Sequence, residues 1–170
     1  MSEIPLFIAF IWHMHQPYYK NNRTGEYCMP WTRLHASKDY LHMVQLLQAY
    51  PTIGQTFNLV PVLLEQLLDY QNPTVFDRHL LLLLQTQLTH SDRLFILQRC
   101  FDAPVDTMIR PHAYYFELFE KRNAALSCAE PNLDAFTSTE YFDMLVWFTL
   151  AWIDPITCKN SPLLQQLHAQ

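Results

Sequence analysis

The chain has 170 residues, of which 50% are hydrophobic and 14% aromatic, and carries a formal net charge of -5 from 16 acidic and 11 basic side chains. That length and composition suit one domain-sized core and exclude a disordered chain. With so few basic residues, nucleic acid and an anionic membrane surface are poor partners, whereas neutral or cationic ligands fit better.

The first element is an apolar run over residues 6–12 that reads as a strand continuing to about residue 16. Glu3 stands where a signal peptide would be basic, and no small-residue cleavage site follows, so a buried strand and a cytoplasmic protein are expected. The run ends in His13, Met14, His15, Gln16, Pro17, Tyr18 and Tyr19. Side chains alternate along a strand, which puts His13 and His15 on one face. Pro17 holds Gln16 extended and stops the ladder. In parallel α/β architectures, the carboxyl ends of the strands line the ligand mouth. Trp12, on the face opposite the histidines, is expected to be buried and structural.

Residues 18–36 read as a long polar and aromatic connection holding Gly25, Trp31 and Arg33. Ser37 is expected to cap a helix with Leu41, Val44, Leu47 and Tyr50 at helical spacing, and Pro51 to end it. Residues 55–60 read as a second strand, with Pro61 opening a helix through Leu63, Leu64, Leu67 and Leu68. The order strand, helix, strand, helix predicts a parallel unit. Asn58 takes the place on strand two that His15 holds on strand one. It either aims an amide into the same mouth or caps the helix at Pro61.

From Asn72 onward the pattern is helical, over about residues 74–88, 92–101, 112–125 and 138–152, with no third strand. Thr137, Ser138, Thr139 and Glu140 form a capping-box pattern ahead of a helix apolar nearly all round, as on an element buried between layers. The apolar stretches at residues 80–84 and 144–153 fall well short of the roughly 20 residues that span a bilayer. No membrane span is expected. Cys28, Cys100, Cys128 and Cys158 are widely spaced, which indicates neither a zinc site nor a disulfide framework. His35, His42, His79, His90, His112 and His168 show no partner pattern and read as packing or surface residues.

The segment from His13 through Pro17, with Tyr18, Tyr19 and Lys20, is followed by Met29, Pro30, Trp31, Thr32, Arg33, Leu34, His35 and Ala36, then Lys38, Asp39 and Tyr40. Together with Phe57, Asn58, Leu59, Val60 and Pro61, with Gln66, and with Trp152, Ile153, Asp154 and Pro155, these residues resemble the N-terminal part of family-57 glycoside hydrolases. The resemblance is dense over residues 6–68. It implies an α/β fold of the incomplete (β/α)7 barrel type, acting on α-glucans as an α-amylase, 4-α-glucanotransferase, branching or debranching enzyme, or on galactosides. It implies that His13 and His15 contact the sugar at the cleavage point, with Gln16 and Trp31 as further members of the wall. Asn58 joins this substrate-binding set. For Trp31 and Arg33 the alternative is a loop anchored on the barrel rim.

Imidazoles, amides and aromatic rings can hold a sugar, since they hydrogen-bond its hydroxyls and stack on its apolar face. They cannot perform retaining glycoside hydrolysis, which takes two carboxyl groups about 5 to 5.5 Å apart. The family's nucleophilic glutamate and its acid lie in later motifs with no match here. Glu65, Glu117, Glu120, Glu130 and Glu140 fall on helices or turns, and Asp154 on what reads as a helix-ending turn. A (β/α) barrel takes about 250 residues. The expectation is therefore two β/α units over residues 1–70 and a helical insertion over 71–170, inactive alone and completed by the missing remainder of the barrel. Its partner would be an α-glucan or oligosaccharide, with no cofactor and no metal. Two other readings stand beside this one. His13 and His15 could be two ligands of a metal-dependent barrel hydrolase, for which zinc would need a third, or the chain could be a non-catalytic carbohydrate-binding remnant.

Overall fold

The computed structural model describes residues 6–168. The readings placed on Glu3 and on the His168 side chain lie outside the described residues. Two strands, β1 (Phe10–Met14) and β2 (Gln55–Leu59), pair in parallel, with Phe10 opposite Gln55 and Met14 opposite Leu59. The first strand is shorter than the expected 6–16, because β2 offers a ladder only five residues long. No further strand joins this sheet among the described residues.

Between the strands, α1 (Trp31–His35), a π-helical turn (Ala36–Tyr40) and α2 (Leu41–Ala49) follow one another with right-handed helical backbone at each junction. Helix therefore starts six residues before Ser37, and Trp31 and Arg33 are helical rather than loop residues. Ser37 caps nothing: its hydroxyl donates to the carbonyls of Leu34 and Trp152. The shortened connection ahead of α1 is closed by a bridge between Lys20 and Tyr27. Gly25, at φ 75°, takes the left-handed turn that this closure requires. Helix α3 (Pro61–Asp69) begins at Pro61 as expected, since the missing N–H costs nothing in a first turn.

The second half is helical, with α4 (Arg78–Leu83), α5 (His90–Arg99), α6 (Ala113–Leu126), α7 (Ser138–Ala151), α8 (Pro155–Asn160) and α9 (Pro162–His168). Caps explain the departures from the expected bounds. Asp77 accepts the backbone N–H groups of His79 and Leu80, which starts α4 at Arg78 instead of near residue 74. Thr89 and Asp92 form a capping box that starts α5 at His90 instead of 92. The Thr137 and Glu140 box opens α7 as read from the sequence. Helices α8 and α9 went unread; each opens on a proline, and Asp154 caps α8 by accepting from the Thr157 N–H (2.8 Å).

The core belongs to the helices. Tyr141, Met144, Leu145 and Phe148 of α7 are fully buried, packed with Ile96 and Leu97 of α5 and with Tyr115 and Leu118 of α6. Each such side chain contributes about 1.5–3 kcal/mol on burial. The sheet has no comparable cover. Met14 is buried, but Trp12, expected to be buried, is 41% exposed, with its indole N–H donating to the Gln55 side chain. Leu6, Phe7, Ile8 and Ile11 are exposed as well. Parallel sheets are otherwise found covered on both faces. No helix of the described residues is long and apolar enough to cross a membrane.

Candidate functional site

His13 lies on β1 and His15 one residue beyond its carboxyl end, both exposed. Their rings are parallel, with centroids 6.2 Å apart and 8° between planes. The two-residue period puts them on one face, as the alternation requires. Asn58, also exposed, stands opposite His13 in the ladder rather than at a position equivalent to His15. Nor does it cap α3, whose N-cap is Val60 without a side-chain hydrogen bond.

Gln16 is nearly buried, and both ends of its amide are used within the protein. It donates to the Tyr40 hydroxyl (2.9 Å) and accepts from the Tyr19 hydroxyl (3.0 Å). The Tyr40 hydroxyl in turn donates to the His15 carbonyl (3.3 Å). One layer deeper, the fully buried Gln66 of α3 accepts from the Tyr19 backbone N–H (2.9 Å) and donates to the Pro17 carbonyl (2.9 Å). A side-chain amide suits both positions because it offers donor and acceptor together. Gln16 and Gln66 thus tie the segment leaving β1 to α3 and to the helix carrying Tyr40. Further along the same connection, Lys20 pairs with Asp69 (2.5 Å), which also accepts from the Tyr27 hydroxyl (2.9 Å). The Lys20 hydrogen bond holds the Asp69 carboxyl below its ordinary range, against the opposing effect of burial.

Trp31 packs elsewhere, edge-on against Trp152 (5.8 Å) and near His35 (6.3 Å). His35 is paired with Asp39 and lies between the rings of Tyr40 (6.1 Å) and Trp152 (5.2 Å). The aromatic cluster therefore reaches the histidine edge through Tyr40 and Gln16 rather than by contact of Trp31 with the imidazoles.

Two buried carboxylates organise the surroundings, and the sequence reading missed the roles of both. Asp154 is fully buried and accepts from His42 (2.6 Å) as well as from Thr157. Burial would raise its carboxyl, but the Thr157 N–H and His42 outweigh it and hold it low. Asp77 is fully buried too, bonded by Arg33 Nε (2.7 Å), with His79 Nδ1 3.7 Å away. Here too burial acts upward, and the neighbouring His79 and Arg33 bring the carboxyl down to about 2. A proline directly after Asp154, with Thr157 beyond it, was the available signal for that cap. Nothing local in the sequence pairs Arg33 with Asp77 across 44 residues.

Chemically, the histidine edge offers exposed imidazole nitrogens and an amide to hydroxyl-bearing ligands. Neither His13 nor His15 is hydrogen-bonded or ion-paired to a carboxylate among the described residues. Glu65 of α3 accepts from the Tyr18 hydroxyl (3.1 Å), and Asp39 is paired with His35. No three His, Cys, Asp or Glu side chains of the described residues are grouped so as to hold a metal ion.

The family model for Glycosyl hydrolase family 57 matches residues 9–167, nearly the whole chain. No curated protein and no solved structure matches it.

Proposed function

Since the chain belongs to glycosyl hydrolase family 57, we propose that it forms the sugar-positioning wall of an α-glucan-active retaining hydrolase or glucanotransferase. The observation that carries this reading is the parallel, exposed pair His13 and His15 at the carboxyl end of β1, braced from behind by Gln16 and Tyr40. In it, His13, His15 and Asn58 touch the sugar. Gln16 is a positioning residue, because its amide is already engaged, and Trp31 buttresses the helix that carries Tyr40. Bracing fixes the backbone that carries His15 before the substrate arrives, so less binding free energy is lost in ordering it.

The catalytic carboxylate pair, in this reading, comes from polypeptide that covers the bare β1 and β2 sheet. Support comes from the exposed apolar strand and from the absence of a carboxylate partner for either histidine among the described residues. Residues 1–70 then form the first β/α units of the barrel, and 71–170 a helical region whose core also takes in Leu34 and Trp31. Titration with a maltooligosaccharide tests the proposal. The His13 and His15 imidazole NMR signals should shift together, His15→Ala should weaken binding about tenfold or more, and no reducing ends should be released. Silent histidines would sink the sugar wall, and release of reducing ends would sink the missing carboxylates.

A further inference from the structure

A cavity of about 570 Å³ opens on the side of the molecule where Lys38 meets the end of α7 and the start of α8. Its walls are mainly apolar, with Met108, Leu150 and Ile153 among them, and its volume lies within the range of small-molecule sites. What distinguishes it is charge. The chain has a net charge of -5, yet Lys38 and Lys159 both line this cavity and no Asp or Glu of the described residues does.

Both lysines are outside the ion pairs of the described residues, which engage six other basic side chains of the kinds Lys and Arg. Lys38 is held in place, because its ammonium donates to the Ala151 carbonyl at the end of α7 (3.2 Å). An ammonium has three donors, so this bond leaves capacity for an incoming anion. Asp154, the carboxylate nearest in sequence to Lys159, is already engaged by His42 and the Thr157 N–H. Lys38 also acts on the Cys158 thiol in the cavity wall, against the upward push of burial and Asp154.

Apolar walls would leave the hydroxyls of a sugar without partners, which is costly. They suit an alkyl chain, whose burial is favourable, and two lysines suit an anionic head. We propose that this cavity binds a small amphipathic carboxylate, with its chain against Met108, Leu150 and Ile153 and its head between Lys38 and Lys159. The site is separate from the histidine edge and does not depend on the glycan reading.

Octanoate, octanol and octyltrimethylammonium, each below its micelle concentration, are the probes for the full chain. Octanoate should shift the Met108 and Ile153 methyl NMR signals saturably and slow maleimide labelling of Cys158 about fivefold or more, while the exposed Cys28 and Cys128 label at unchanged rates. Octyltrimethylammonium should do neither. Lys159→Met, which keeps much of the alkyl stem, should weaken octanoate by a factor of about three to ten, and Lys38→Met, Lys159→Met together by more. Lys159 is exposed, so its variant should fold normally. Equal effects from the three probes, no effect from octanoate, or unchanged octanoate affinity in a folded Lys159→Met protein would each overturn the proposal.

Discussion

The two halves of the molecule treat the same kind of side chain in opposite ways. Helix α7 buries Tyr141, Met144, Leu145, Trp147, Phe148, Leu150 and Ala151, whereas β1, equally apolar, buries Met14 and leaves Phe10, Ile11 and Trp12 exposed. Hydrophobicity alone does not place a residue inside. Burial requires an opposing layer, and α4, α5 and α6 supply one to α7, while the sheet has no comparable cover among the described residues. The helices hold the buried core, and the sheet leaves its apolar side chains exposed among the described residues.

The largest test of that contrast is Phe148→Ala. Phe148 is fully buried and stacks on His79 with ring centroids 4.8 Å apart. Truncation should cost roughly 3–5 kcal/mol, read as a lower denaturation midpoint in urea. A loss under about 1 kcal/mol would move the centre of stability away from α7.

Next in size is the acid limb. Asp77 is held at about 2 when folded, against roughly 3.9 in an unfolded chain. Its folded value is the lower one, so its contribution is complete above about pH 4 and is lost as the pH falls toward 2. The span corresponds to roughly 2–3 kcal/mol. Asp77→Asn should lower stability at neutral pH by about that amount and flatten the acid limb of a stability-against-pH curve. An unchanged acid limb would mean that the Arg33 and Asp77 pair does not tie α1 to the helical half.

Tyr40→Phe should act on the site more than on the fold. It removes the bond to the His15 carbonyl and leaves Gln16 Nε2 without its acceptor, at a cost of roughly 0.5–1.5 kcal/mol. Maltooligosaccharide binding should weaken severalfold while the helical core melts almost as before. Equal binding by the variant would separate the brace from the histidine edge.

What was legible from residue order follows the same division. Periodicity and caps are local, so α3, α6, α7 and the Thr137 capping box could be read directly. The shared face of His13 and His15 was legible too, because it depends only on the pleat. Contacts of long range were not. The Ser37 hydroxyl serves the carbonyls of Leu34 and Trp152 rather than a cap, and helix begins back at Trp31. Nothing near Gln16 announces Tyr40 as its partner, 24 residues on. Asn58 was matched to His15 by counting from strand ends, whereas the observed register sets it beside His13.

Trp12 carries the smallest effect and the sharpest form of the comparison. An indole in a covered sheet would be worth about 3–5 kcal/mol on truncation, as much as Phe148. At 41% exposure, with its N–H on the Gln55 side chain, Trp12→Ala should cost only about 1 kcal/mol. The β1 amides should also exchange with solvent far faster than those of α7, since a two-stranded parallel sheet opens locally at little cost. Both measurements respond to cover. If Trp12→Ala proves as costly as Phe148→Ala and the β1 amides are protected, the sheet is covered in solution. The contrast between the halves would then fall.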